Sequence, residues 1–248
     1  VSEDPNKYVY GVVPAAAPPP SAPGIGGGAV DTIAAEGTAA LVSDVPAGEL
    51  EVGRHALMAH SQVLEDALRN GAVLPMRFGV VFPDADSVRQ RLLEPHRDAL
   101  LTQLAELEDK VELHVRAVFH EQTLMGEIVN EDAQIRSLRE TLHGQDEDAT
   151  YYERIRLGGL VAEAVERKCR AEGDEILSVL EPLALATQIG ELDSERVALN
   201  ASFLVERNEM PAFDEAVDKV GRARDGRMRL KYTGPLPAYS FVELSAEA

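Results

Sequence analysis

The sequence predicts an α+β protein of two domains, an N-terminal mixed α+β domain and a C-terminal ferredoxin-like domain with an additional helix. Three observations predict it. The second half reads strand, helices, strand, strand, helix, strand, which is the ferredoxin-like order with an extra helix in the first crossover. The first half alternates between the period-two pattern of strands and the 3.6-residue pattern of helices. A chain of 248 residues with 45% apolar content can also fill two ordinary cores. The expected division gives domains 1–110 and 111–248.

In the first domain, Tyr8–Val13 is a short apolar run and reads as a strand. Residues 14–28 follow as a Pro/Gly-rich surface loop, in which proline stiffness gives way to glycine freedom. Val30–Ala34 and Ala39–Val45 form a hairpin around Glu36 and Gly37. Arg54–Arg69 repeats Leu57, Leu64 and Leu68 at helical spacing, and Gly71 fits its stop. Val73–Phe82 is apolar apart from Arg77 and is interrupted by Pro75 and Gly79, so it reads as a buried strand with a bend. Asp84–Asp109 returns to a helical stripe through Val88, Leu92, Leu100, Leu104 and Leu107, with Pro95 kinking or splitting the helix.

The second domain begins with Val111–Phe119, where Val111, Leu113, Val115, Ala117 and Phe119 share one face and Glu112, His114 and Arg116 the other. Glu121–Leu142 is a helix, Gly144–Asp148 a solvated loop, and Tyr151–Glu172 a second helix ended by Gly173. Leu183–Gln188 and Arg196–Val205 are strands, Met210–Arg224 a helix, and Arg227–Thr233 the last strand, closed by Gly234 and Pro235. A C-terminal tail, 234–248, completes the chain. Right-handed crossovers place the four strands in spatial order 4-1-3-2 with the helices on one face.

The other face then carries Arg227, Arg229, Lys231, Arg116, Arg196, Asn200 and Ser202. That concentration of base could dock an acidic partner segment, or it could be covered within the chain, as open sheet faces commonly are. The structural reading is preferred. RNA recognition would need aromatic side chains on this face to stack bases, and Phe119 and Phe203 fall on the inward set.

A net charge of -19, from 43 acidic and 24 basic residues, argues against general nucleic-acid binding, because phosphate neutralisation needs a basic footprint. No apolar run approaches a membrane span, and Val1–Pro5 shows neither the basic nor the apolar region of a secretory signal, so a soluble cytoplasmic protein is expected. The single Cys169 lies in a helical pattern as a small buried apolar residue. His55 and His60 stand five apart, which does not put two rings on one helix face for a metal. Gly24–Gly28 leads into a strand rather than a helix and lacks the Lys-Ser/Thr ending of a phosphate loop. Asp146, Glu147 and Asp148 lack the spacing of a calcium loop. No catalytic set survives, and no cofactor or metal is expected. Ser61 beside His60 does not make a pair, since adjacent helix residues do not face each other. His60 borders the apolar stripe of its helix, where a satisfied flank residue is the plainer reading.

Two stretches are more specific. Leu230–Val242, reading Leu-Lys-Tyr-Thr-Gly-Pro-Leu-Pro-Ala-Tyr-Ser-Phe-Val, and Val73–Phe82, reading Val-Leu-Pro-Met-Arg-Phe-Gly-Val-Val-Phe, stand with Tyr10–Val13, Ala59-His60, Val63–Glu65, Lys110–Leu113 and Asn200–Val205. Together, in this order, they resemble the gas vesicle accessory proteins F and L, whose members help assemble the protein shell of gas vesicles. One departure is Ala238, where the family more often has a second proline, which softens the expected terminal bend.

The resemblance implies a non-enzymatic, cytoplasmic, vesicle-associated accessory protein. It would act as a chaperone or nucleation factor that binds the small hydrophobic shell protein, alongside other accessory proteins. Candidate partner contacts are Arg77, Phe78, Phe82 and His60 in the first domain, and Arg227, Arg229 and Lys231 on the basic face. The shell contact is assigned to the first domain for its apolar Val73–Phe82. Arg77, if buried there, calls for a carboxylate such as Glu65. Tyr232, Gly234, Pro235, Pro237, Tyr239 and Phe241 form an expected clasp between domains. The alternative is a ferredoxin-like small-molecule-binding or regulatory module, since that fold hosts many functions.

Overall fold

The structure, a computed structural model, describes residues 5–46, 53–146 and 148–242. Residues 1–4, Glu147 of the acidic loop and residues 243–248 of the expected tail lie outside the described residues. The chain divides into two compact units, Val1–Glu112 with Gly234–Ala248, and Leu113–Thr233. From its place in the sequence the tail is expected in the second domain. It groups instead with the first, where the backbone N–H and hydroxyl of Ser240 donate to the carboxylate of buried Glu112 at 2.8 and 2.9 Å.

The first unit is built around β1 (Asn6–Pro14), whose residues Tyr8–Val13 are all buried. A strand covered on both faces needs a continuous apolar run, and this one has it. β1 pairs with β3 (Thr38–Val45), which pairs with β2 (Asp31–Ala35) through the turn at Glu36 and Gly37, both with positive φ. α1 (Arg54–Asn70) buries His60, Val63, Leu64, Ala67 and Leu68, while Leu57 faces solvent. The stripe expected through Leu57 is thus rotated, and His60 belongs to the buried face. At Gly11 a Cβ would meet Leu74 O at 2.7 Å and Leu64 at 2.8 Å, so glycine is what lets α1 and the neighbouring strand close on β1.

The expected single strand Val73–Phe82 is instead two short strands, β4 (Leu74–Pro75) and β5 (Val81–Phe82), both paired with β1. Gly11 faces Pro75 and Tyr8 faces Val81, so three steps along β1 span six along its partner. The surplus is expelled as the loop 76–80, which turns at Gly79 with φ +96°. α2 (Ala85–Val88) runs into a wider π turn at Arg89–Leu93 before α3 (Arg97–Glu106) resumes. Pro95 explains the break, since it has no N–H to give and its ring crowds the preceding turn.

The second unit carries a sheet in the order β7 (Ala186–Ile189), β8 (Val197–Glu206), β6 (Lys110–Phe119), β9 (Met228–Leu236), the 4-1-3-2 order of the ferredoxin-like pattern. α7 (Met210–Ala223) sets Phe213 against Phe203 of β8, ring centroids 5.2 Å apart. The helix expected over Glu121–Leu142 is two, α4 (Glu121–Glu131) and α5 (Ala133–Leu142). Asp132 divides them, because its carboxylate caps α5 by accepting from the N–H groups of Gln134 and Ile135. α6 (Tyr151–Leu180) runs eight residues past Glu172. Gly173 is not its stop; a Cβ there would lie 2.2 Å from Ala198 O, so this glycine allows the helix to touch β8. β9 likewise continues through Gly234 and Pro235, joined by a cis peptide, since an edge strand tolerates a missing donor.

Candidate functional site

Tyr8 and Tyr10 project from β1 with ring centroids 4.9 Å apart, and His60 of α1 lies 5.8 and 5.6 Å from them. His60 is only 4% exposed. Its Nε2 lies 3.2 Å from Met76 O, and a carbonyl can only accept, so Nε2 carries the proton. Nδ1 therefore accepts from the Tyr8 hydroxyl at 2.8 Å, and that oxygen in turn accepts from Gly79 N–H at 3.1 Å. Burial lowers the His60 pKa and raises that of Tyr8, so both stay neutral. Every polar atom in this series of hydrogen bonds is matched, and its two outer ends, Met76 and Gly79, belong to the loop 76–80.

The Tyr10 hydroxyl, bonded to Ser43 Oγ at 2.7 Å, accepts from Ile25 N–H at 2.7 Å and so holds the Pro/Gly-rich loop. Asp66 of α1 holds the same loop by accepting from Ser21 N–H, Ser21 Oγ and Ala22 N–H at 2.6, 2.9 and 3.1 Å. Those hydrogen bonds, led by the Ser21 hydroxyl, keep its carboxyl below the usual range.

Above this latch lies an apolar rim. Phe78 is half-buried, 5.9 Å from the Tyr8 ring and 5.8 Å from His60. Leu57 and Met58 are exposed on α1, one turn from Ser61, which is hydrogen-bonded to Tyr239 of the tail. Tyr239 is 41% exposed, and burial of its remainder, with Glu65 nearby, pushes its hydroxyl up to about 12. Tyr8, Tyr10, His60, Phe78 and Tyr239 are spread over the chain, and most come from the stretches singled out in the sequence. The fold gathers them around α1.

Arg77 is exposed, so the buried pair with Glu65 is corrected: the loop expels the residue instead of enclosing it. Phe82 is buried. Pro237 and Ala238 are buried and Phe241 is half-buried, so the tail is anchored by its prolyl bend and Ser240 more than by Tyr239. Tyr232 is partly exposed and donates to Asp214 at 2.5 Å, while Gly234 and Pro235 are exposed.

The expected basic sheet face is dispersed. Arg229 and Lys231 are exposed, but Arg116 pairs with Asp193, Arg196 lies 3.8 Å from Glu121, and Ser202 is buried. Arg227 turns to the helices. It grips Glu127 of α4 through Nε and Nη2 at 2.7 and 3.0 Å and reaches Glu172 of α6 at 3.0 Å, with its guanidinium 5.7 Å from the Phe119 ring centroid. Lys168 bridges Glu127 and Glu131 at 2.9 and 2.7 Å. Arg224 sits 2.9 Å from Glu172, an ion pair outside hydrogen-bonding geometry, and 3.2 Å from Glu175. Arg227 holds the Glu127 carboxyl down to about 2. Period-two reading placed Arg227 on the sheet, whereas it belongs to the turn at Gly226, φ +73°, ahead of β9.

Among the described residues, no group of His, Cys, Asp and Glu is placed to hold a metal ion, and no helix is long and apolar enough to cross a membrane. Cys169 donates to Glu195 O at 3.2 Å, and burial pushes its thiol up to about 11. Fold and site together define a two-unit α+β protein that presents shaped surfaces braced from within. The chain belongs to the family described as gas vesicle synthesis protein GvpL/GvpF, which matches residues 6–243, and is thereby involved in gas vesicle formation. It is similar to gas vesicle protein F of a Streptomyces species, 38% identical over 244 residues that cover 96% of this chain and all of that protein. Two crystal structures share the fold, both at 22% identity. They are GvpF from an Anabaena species, TM-score 0.86 over 97% of this chain and 99% of that one, and GvpF from Microcystis aeruginosa, TM-score 0.79 over 96% and 99%.

Proposed function

We propose that this protein is a non-enzymatic accessory factor of gas vesicle assembly, cytoplasmic and vesicle-associated. In this reading it binds the small hydrophobic shell protein through its first unit, as a chaperone or nucleation factor, and meets other accessory proteins in the same assembly. The observation that carries the reading is the apolar rim of exposed Leu57, Met58 and Tyr239 with half-buried Phe78, beside a latch whose polar groups are all matched. A rigid apolar surface on an acidic body can cover an apolar subunit and keep the complex dispersed. Arg77 at the rim supplies a charge that orients the partner.

The first unit is discontinuous in sequence, so the test uses the full chain. Shell protein co-expressed with the wild type should co-purify with it. Leu57→Glu with Met58→Glu should abolish capture, and Arg77→Glu should weaken it without lowering thermal stability. Undiminished capture by the double variant would remove the first unit from this role. The alternative, a small-molecule-binding or regulatory module, draws its support from a groove in the second unit. That groove is lined mainly by apolar side chains, and burial keeps its Cys169 thiol protonated and uncharged.

A further inference from the structure

The second unit contains a groove of about 740 Å³ between α6 and the connection from β7 to β8. Its floor is Val165, Cys169 and Leu177 of α6 with Val197 and Leu199 of β8. Over its outer wall stand Ile189 and Leu192, 57% and 55% exposed, two large apolar side chains that the fold leaves in water.

The wall is held open by specific bonds. Asn200 accepts from Gly190 N–H through its backbone carbonyl, and its side chain donates to Glu191 O, both at 2.8 Å. Arg116 pairs with Asp193, and Cys169 donates to Glu195 O. Gly190 is required for this approach, since a Cβ there would lie 2.7 Å from the Asn200 side chain. A wall pinned at successive residues does not collapse onto the helix, and a preformed groove loses less entropy when filled.

The rim is acidic. Glu163, Glu166 and Asp174 of α6 face Asp193 and Glu195 across the groove, with Arg170 the one base lining it among the described residues. Arg170 is occupied by Glu166 at 2.6 Å, and Asp193 by Arg116, while Glu163, Asp174 and Glu195 form no ion pair among the described residues. The groove follows α6 from Ala162 to Leu177, about 22 Å, the length of roughly four turns of a second helix.

We infer that this groove is a docking site for a partner helix carrying an apolar stripe flanked by lysine or arginine. The stripe fills the floor between Val165 and Leu177 and covers Ile189 and Leu192. The flanking bases meet Glu163, Asp174 and Glu195. This is helix-in-groove recognition, in which apolar anchors supply affinity and rim charges supply orientation and discrimination. It is separate from the first-unit surface proposed above and stands whether or not that surface binds shell protein.

The test uses the full-length protein and two fluorescein-labelled helical peptides of about sixteen residues. Both carry the same leucine stripe, one with lysine flanks and one with glutamate flanks. Fluorescence anisotropy should show saturable binding of the lysine peptide, at least about tenfold tighter than the glutamate peptide. Leu192→Lys should weaken it by about tenfold or more. Asp174→Lys with Glu195→Lys should reverse the preference between the peptides, whereas Glu209→Lys, outside the groove, should leave it unchanged. All are exposed positions, and thermal unfolding checks their folding. If Leu192→Lys lowers the unfolding midpoint, Ile189→Lys takes its place. Equal binding of the two peptides, no reversal in the charge-swapped variant, or wild-type affinity in Leu192→Lys overturns the proposal. So does an apolar dye that saturates the groove without displacing the peptide.

Discussion

In the first unit the loop 76–80 hangs from neutral partners, the Tyr8 hydroxyl and the His60 ring, with backbone groups at the outer ends. In the second unit the turn into β9 is held by three bases, Lys168, Arg224 and Arg227, among four acids, Glu127, Glu131, Glu172 and Glu175. The two solutions suit different tasks. A neutral latch can lie fully buried beneath an apolar surface without the desolvation cost of ions. An ionic network tolerates the partial solvation of a helix layer and joins elements far apart in sequence. They should also fail under different conditions, so each can be disturbed alone.

The largest effect is expected at Gly173→Ala, in the second unit. The added Cβ meets Ala198 backbone, which cannot swing aside, so the helix must shift and stability should fall by about 3 kcal/mol, read from denaturant unfolding. Next comes Arg227→Met, which leaves Glu127 with Lys168 and Glu172 with Arg224 but removes the base that joins the two carboxylates. Allowing for solvent screening at a partly exposed guanidinium, the expected loss is about 2 kcal/mol, shrinking further in high salt.

Tyr8→Phe removes the donor to His60 and the acceptor for Gly79 N–H, at an expected cost of about 1.5 kcal/mol. Amide hydrogen exchange should then show faster opening of residues 76–80 with little change in the second unit. Ser240→Ala comes last, at about 1 kcal/mol, because Glu112 keeps the Ser240 N–H and loses one donor of two.

Acid weakens both regions with the same sign but in different pH windows. The folded pKa of His60 lies below its ordinary value, so the unfolded chain takes up a proton first. The stability it contributes is complete above the ordinary histidine value of about 6.5 and is lost as pH falls through the lower folded pKa. Glu127 is also depressed, to about 2, so its contribution is complete above the ordinary carboxylate range and is lost as pH falls toward about 2. Titration from neutral pH should therefore loosen the loop 76–80 before the turn into β9. Simultaneous loosening, followed by exchange at Gly79 and Met228, would mean that the two regions are not independently held.

Much of this was legible in the residues. Alternation along Val111–Phe119 and Val197–Val205 placed the buried faces of β6 and β8, because a period of two admits a single apolar side. Pro95 announced the break between α2 and α3. The candidate site was less legible. His60 reads as a flank residue because Leu57 suggests the stripe, yet Tyr8 offers a hydroxyl that makes the histidine the better-matched inward group. Gly173 reads as a stop because glycine ends helices, while its role here, close approach to Ala198, depends on a strand more than twenty residues away.

Local pattern determined the element types, the strand order of the second unit and the family, since propensity, periodicity and short motifs are properties of neighbouring residues. Tertiary structure decided which side Arg227 faces, that Arg77 is expelled and His60 enclosed, and that the tail from Gly234 grips Glu112 in the first unit. The enclosure of His60, the direction of Arg227 and the grip of the tail turn on where a polar group taken out of water finds its partner. That partner lies up to 128 residues away, and its distance is set by the packing of whole elements rather than by the residues alongside.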